Sequence, residues 1–198
     1  SGEAPSCGEG PAGGLYEVLG GHYDPETAEG GARNGTGSLR LDFARLVTLG
    51  ASADAVAGVF SLSYHFLQDG ADKQIEISWE DPPFTSEVPV GDLNYAYSRT
   101  AEGAITYDFA LQADVVGGGF GDPFSDALET LRIAARWREG GLGRGDVTIS
   151  GGDVPVGSAA TWTECWNDLY LRTFASFHAA FDPSLDEQEG DALACPAP

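Results

Sequence analysis

The stretch from Glu129 to Cys165 alternates, residue by residue, between apolar and polar side chains. Leu131, Ile133, Ala135 and Trp137 fall on one side, and Arg132, Ala134, Arg136 and Arg138 on the other. After the turn GGLGRG, Val147 and Ile149 alternate with Asp146, Thr148 and Ser150. A period of two with one apolar face is what a sheet with one buried side requires. The stretch reads as a hairpin whose second strand leads through a Gly/Pro/Ser corner to Cys165 and Trp166.

The same period recurs upstream. Leu15–Tyr23 suits a first strand, and Leu39, Leu41 and Phe43 mark a second. Phe60, Leu62, Tyr64 and Phe66 alternate with Ser61, Ser63 and His65; Ile75, Ile77 and Trp79 follow the turn QDGAD, and DPP stops that strand because proline cannot donate to the ladder. Leu93, Tyr95 and Tyr97, then Ile105, Tyr107, Phe109 and Leu111, complete the series. The expected fold is all-β: an antiparallel meander of about 8–10 strands. A flat open sheet of that many strands is disfavoured, so it should curl into a barrel or a two-layer sandwich. Two segments also fit a helix. In 123–138, Pro123 suits the first helical position, and Phe124, Leu128, Leu131 and Ala135 follow at helical spacing. In 162–177, Trp162, Trp166, Leu169, Tyr170, Thr173, Phe174 and Phe177 do so. The strand reading is preferred for both, for the first because Glu129 onward can pair with Val147–Ser150.

Composition sets the class. With 42% apolar residues the chain can bury a core, and 28 glycines favour many turns over long helices. Ten basic against 31 acidic residues give a net charge of −21. That charge repels nucleic acid and anionic membrane surfaces, and it keeps a protein soluble. No run approaches 18 apolar residues, so no transmembrane span is expected. The chain has no methionine, and a secretory signal cleaved before Ser1 is the preferred reading. Residues 1–14 are a Gly/Pro-rich tether or exchanged segment, able to join a neighbouring copy, and 15–198 form a single domain. A disulfide between Cys165 and Cys195 would close a loop of about 31 residues, worth about 3.5 kcal/mol by chain entropy. It would latch an otherwise polar tail; the alternative is two reduced thiols in a cytosolic protein. Cys7 is left over, free, paired between chains, or bound to one of the other two.

One ordered series stands out: Gly143-Arg144-Gly145-Asp146, Ser150-Gly151-Gly152-Asp153, Glu164-Cys165-Trp166, and Glu189-Gly190-Asp191 before Cys195. Over about residues 128–195 it resembles uncharacterised, predicted secreted lipoproteins of myxobacteria. The resemblance implies export, a β-rich fold and a bridge between the two C-terminal cysteines, and it implies no activity. Ala4-Pro5-Ser6-Cys7 departs from a lipobox, so a lipid anchor would have preceded Ser1.

Candidate chemistry is thin. His22, His65 and His178 have no G-x-S-x-G elbow to serve, and no zinc spacing occurs. Glu76, Glu80, Asp108 and Glu164 lie on or near strands, and a carboxylate-based hydrolase would need two of them in one cleft. Asp182, Asp186, Glu187, Glu189 and Asp191 are oxygen ligands that calcium accepts, but without EF-hand spacing a solvated acidic loop is the plainer reading. No other cofactor is expected. Arg144-Gly145-Asp146 matches an adhesion tripeptide and Asn34-Gly35-Thr36 a glycosylation acceptor, and both are short enough to arise by chance. Tyr64, Tyr95, Tyr97, Tyr107, Trp79 and Trp137 share the apolar phase of successive strands. They form core, or line a cavity for an apolar or sugar ligand. The leading expectation is a non-enzymatic, exported cell-envelope or extracellular β protein with a structural or assembly role as a homo-oligomer or filament subunit. A small-ligand-binding surface lipoprotein stands second and a hydrolase third.

Overall fold

The computed structural model describes residues 19–24, 34–43, 45, 58–67, 71–82, 90–116 and 125–197. Eleven strands form one antiparallel sheet in chain order. They are β1 (Leu19–Asp24), β2 (Gly35–Asp42), β3 (Val59–Leu67), β4 (Asp72–Glu80), β5 (Val90–Arg99), β6 (Ala104–Ala113), β7 (Glu129–Arg138), β8 (Gly143–Gly151), β9 (Ala160–Trp166), β10 (Arg172–His178) and β11 (Glu187–Gly190). The meander is as expected, with one strand more than the expected range. The helical alternatives are not taken: 129–138 is β7, and 162–177 splits into β9 and β10 around a turn. The strand period wins because each apolar phase continues the row begun by its neighbour. The sheet does not close into a barrel; β1 and β11 are its opposite edges. Residues 1–14, with Cys7, lie outside the described residues.

Register explains the alternation. Leu39, Leu62, Ile77, Tyr95, Phe109, Ile133, Val147, Trp162 and Phe177 are successive cross-strand partners from β2 to β10. Since side chains alternate sides, one face carries this row and its apolar neighbours, and the other carries the polar phase. On the apolar face aromatic pairs tie adjacent strands. Phe60 meets Trp79 edge-on at 5.6 Å, Tyr95 meets Tyr107 at 5.4 Å, and Trp162 lies 6.0 Å from Phe177. Each such pair contributes roughly 0.5–1.5 kcal/mol beyond its burial. Two glycines admit rings. A Cβ on Gly37 would meet the Tyr64 ring, and one on Gly143 the Trp166 indole. Each glycine is the direct cross-strand partner of the ring it carries.

Full burial is confined to a few places. Cys165, Phe174, Ala175 and Ala179 are buried around β9 and β10, where the C-terminal tail returns. Cys165 and Cys195 stand at disulfide distance with Cα atoms 5.3 Å apart. Arg144 Nη1 also donates to the Pro196 carbonyl at 3.3 Å, so the tail is held at two points. At the other end of the strands, Glu129 is wholly buried. Its Oε2 accepts from the amides of Val115 (2.9 Å) and Val116 (3.0 Å), and its Oε1 from Asp153 N–H (2.7 Å). Asp153 in turn accepts from the Ser125 amide and hydroxyl. One carboxylate thus fastens the segment after β6 to the turn after β8.

Candidate functional site

The polar face is hollowed across β1 to β7. The hollow encloses about 1070 Å³. Its floor is two cross-strand rows. Arg40, Ser61, Ser78, Asn94, Ala110 and Arg132 are partners in one; Ser38, Ser63, Glu76, Ala96 and Asp108 in the other. Alternation forces this polarity: these positions are out of phase with the leucines and tyrosines, so they share the opposite side. Small side chains keep the floor low, while Arg40, Glu76, Asn94, Asp108 and Arg132 rise from it. Arg132 Nη2 donates to Asp108 Oδ1 at 2.8 Å and Arg40 lies 3.6 Å from Asp42, so both guanidiniums face acids. A second hollow of about 370 Å³ is bordered by His22, Thr36, His65, Gln74 and Glu76. Gln74 Nε2 donates to Glu76 Oε1 at 3.1 Å.

All six aromatic candidates lie on the other face, spread over four of its rows. Tyr64, Tyr97 and Tyr107 share one, Tyr95 sits in the middle row, Trp79 toward one end and Trp137 toward the other. Tyr95 alone borders the large hollow, at the row between its two polar rows. Burial, then its neighbours Tyr107 and Tyr97, raise the Tyr95 hydroxyl pKa. The rings cover a broad surface and converge on no single point. A shallower hollow of about 560 Å³ lies beside Trp162, Phe177, Arg172, Glu187 and Glu189 at the β9–β11 end.

Four of the five candidate carboxylates in the acidic tail already have partners. Asp182 accepts from the Ser184 hydroxyl and amide, which hold its carboxyl below the usual range. Asp186 is lowered by His178 Nδ1 at 2.8 Å and then by the Ala179 amide. Glu189 meets Arg172, Asp191 caps the turn at Leu193, and Glu187 opposes Phe177 in β11. Among the described residues no group of three or more His, Cys, Asp or Glu could hold a metal ion. The Ser184 hydroxyl, near the His178–Asp186 pair in sequence, turns to Asp182 instead. Glu76 and Asp108 do share the large hollow. The intervening Ala96 strand places their backbones about 10 Å apart. Both side chains are reached by water.

Three features escaped the sequence reading. Arg144 and Asp146 are not an exposed adhesion loop: they sit inside β8, two residues apart on one face, joined by paired 2.8 Å bonds. Thr163 adds a bond to Asp146 at 2.7 Å. Burial pushes the Asp146 carboxyl up, but the bonds from Arg144 and Thr163 and the nearby arginine charges outweigh it and hold it low. Arg144 is raised by the same bond. The second feature is Glu129, and a signal for it existed: it falls on the apolar phase of β7, where a carboxylate needs a special partner. The third is the β9–β10 turn. Leu169, Tyr170 and Leu171 are 71%, 64% and 60% exposed, and Tyr170 takes a left-handed φ of 59°. Leu169 and Tyr170 fall at helical spacing in the sequence, but in the turn they face outward.

Comparison of the chain with protein-family models, curated proteins and solved structures gives no match to any of them.

Proposed function

We propose that this chain is a non-enzymatic, exported β protein of the cell envelope or extracellular space, and that its role is self-assembly through the apolar face of the sheet. The observation that carries the reading is the size of that face in a single sheet. From β2 to β8 it spans six strand spacings, about 29 Å, and about 20 Å along the strands. Roughly 600 Å² is the upper end of what a monomer usually leaves open. Two copies meeting face to face would bury roughly 1,200 Å², enough for a specific interface. Its border suits the purpose. Glu164, Arg172, Glu187 and Glu189 place charges on β9 to β11 beside the apolar rows, as a polar rim does. At the turn end Leu142 and Leu169–Leu171 add exposed apolar surface. Export is supported by the cysteine pair, since disulfides persist in oxidising compartments.

Sedimentation velocity over a wide concentration range tests the assembly. We expect dimers or larger species that Phe109→Glu, in the middle apolar row, disperses and that Ser78→Glu, on the opposite face, leaves alone. Monomers at every concentration, or equal behaviour of the two variants, would refute it.

A further inference from the structure

We infer that the hollow on the polar face is a binding site for a neutral polyhydroxylated chain, an oligosaccharide. Three properties select that chemistry. The first is shape. From β1 to β7 the hollow crosses six strand spacings, about 29 Å, and holds about 1070 Å³, which suits an extended ligand better than a compact one. The second is polarity. Hydroxyls from Ser61, Ser63 and Ser78 and the Asn94 amide lie between carboxylates and guanidiniums, so donors and acceptors interleave at about 4.8 Å from strand to strand. Ser61, Ser63, Ser78 and Asn94 make no side-chain hydrogen bond among the described residues, leaving their capacity to a ligand. The third is charge. Arg132 is met by Asp108 and Arg40 by Asp42, so nothing is left over for an anion, and a net charge of −21 repels anionic polymers.

Among the described residues no Phe, Tyr or Trp side chain belongs to the polar phase of β1 to β7, so stacking contributes little. Affinity must come from hydrogen bonds summed along the chain, and should grow with ligand length. The aromatic face predicts the opposite: local binding that any sugar ring could satisfy. All four tryptophans, Trp79, Trp137, Trp162 and Trp166, belong to that other face, which supplies a built-in discriminator.

The experiment is calorimetric titration with cello-, malto- and laminari-oligosaccharides from disaccharide to hexasaccharide, with tryptophan emission followed in parallel. One series should bind, tightening at least tenfold from dimer to hexamer, with emission unchanged. Asn94→Leu and Ser61→Val, both on exposed or half-exposed strand positions, should weaken hexamer binding at least tenfold while circular dichroism shows the sheet intact. Tyr97→Glu, on the apolar face and away from the hollow, should bind as the native chain does, which separates this site from the assembly surface. Absence of heat with all three series up to about 10 mM overturns the inference. So does binding that shifts tryptophan emission and ignores Asn94→Leu. Release of shorter sugars would overturn the passive role given to Glu76 and Asp108.

Discussion

Glu129→Gln changes one oxygen into an NH2 group at the best-buried charge in the described sheet, and its effect can be worked out bond by bond. The carboxylate accepts three amides, two on Oε2 from Val115 and Val116 and one on Oε1 from Asp153. Glutamine keeps one accepting oxygen. With that oxygen at the Oε2 position, it retains two bonds and turns its NH2 against the Asp153 N–H; the reverse orientation loses two. The better orientation strands one buried donor, at about 1–3 kcal/mol, and converts two charge-assisted bonds into neutral ones, at about 1 kcal/mol each. The total is about 4 kcal/mol, or a fall in Tm of about 8–16 °C for a chain of this size. Urea unfolding followed by tryptophan fluorescence should show a lower midpoint at unchanged slope. Gly152→Ala attacks the same bracket from the other side, because its Cβ would overlap Glu129 Oε1 and its φ of 53° disfavours a side chain. A Glu129→Gln midpoint within about 0.5 kcal/mol of the native chain would show that the carboxylate is no bracket, and the reasoning would fail.

Two further outcomes follow from the C-terminal half. Cys195→Ser should lower stability by about 3.5 kcal/mol, and reductant should bring the native chain to the same urea midpoint while leaving the variant unmoved. Asp146→Asn should destabilise at pH 7. Because the folded carboxyl is held low, its contribution is present above the unfolded carboxylate pKa of about 3.9 and is lost as pH falls below it. The gap between native and Asp146→Asn midpoints should therefore close as pH falls below about 4.

What the sequence made legible was everything governed by alternation. Leu39 to Phe177 could be placed on one side from period two alone, and the register then had to bring them into one row. Closure and edges were another matter. Whether strands curl into a barrel depends on how the first meets the last, and no local pattern in Leu19–Asp24 or Glu187–Gly190 encodes that meeting. β11 was invisible because four consecutive polar residues, Glu-Gln-Glu-Gly, have no apolar phase; it forms because β10 offers an open edge beside it. The polar hollow escaped for a similar reason. Serines 61, 63 and 78 read as solvated positions, and only their assembly across seven strands makes them a floor.

An open sheet can grow in two directions, edge to edge or face to face, and the two edges argue against the first. β11 is four residues long, acidic and exposed throughout, which blunts strand addition by length and by charge. β1 carries Gly20 and Gly21 in its middle, and glycine weakens a strand interior by leaving nothing to pack. A neighbour's own β11 pairing there would also bring a second acidic edge, in a chain already at −21, against Glu187 and Glu189. The apolar face has neither obstacle: its exposed charges sit at its margins, on β9 to β11 and at Lys73 and Arg99 toward one end of the strands, and its middle rows hold leucine, isoleucine and aromatic side chains that are still partly exposed. Burying them gains about 25 cal/mol per Å², whereas edge pairing exchanges water for amide at little net gain per bond. Growth through the face also leaves the polar hollow on the outside of the assembly, open to solvent and to a polar ligand.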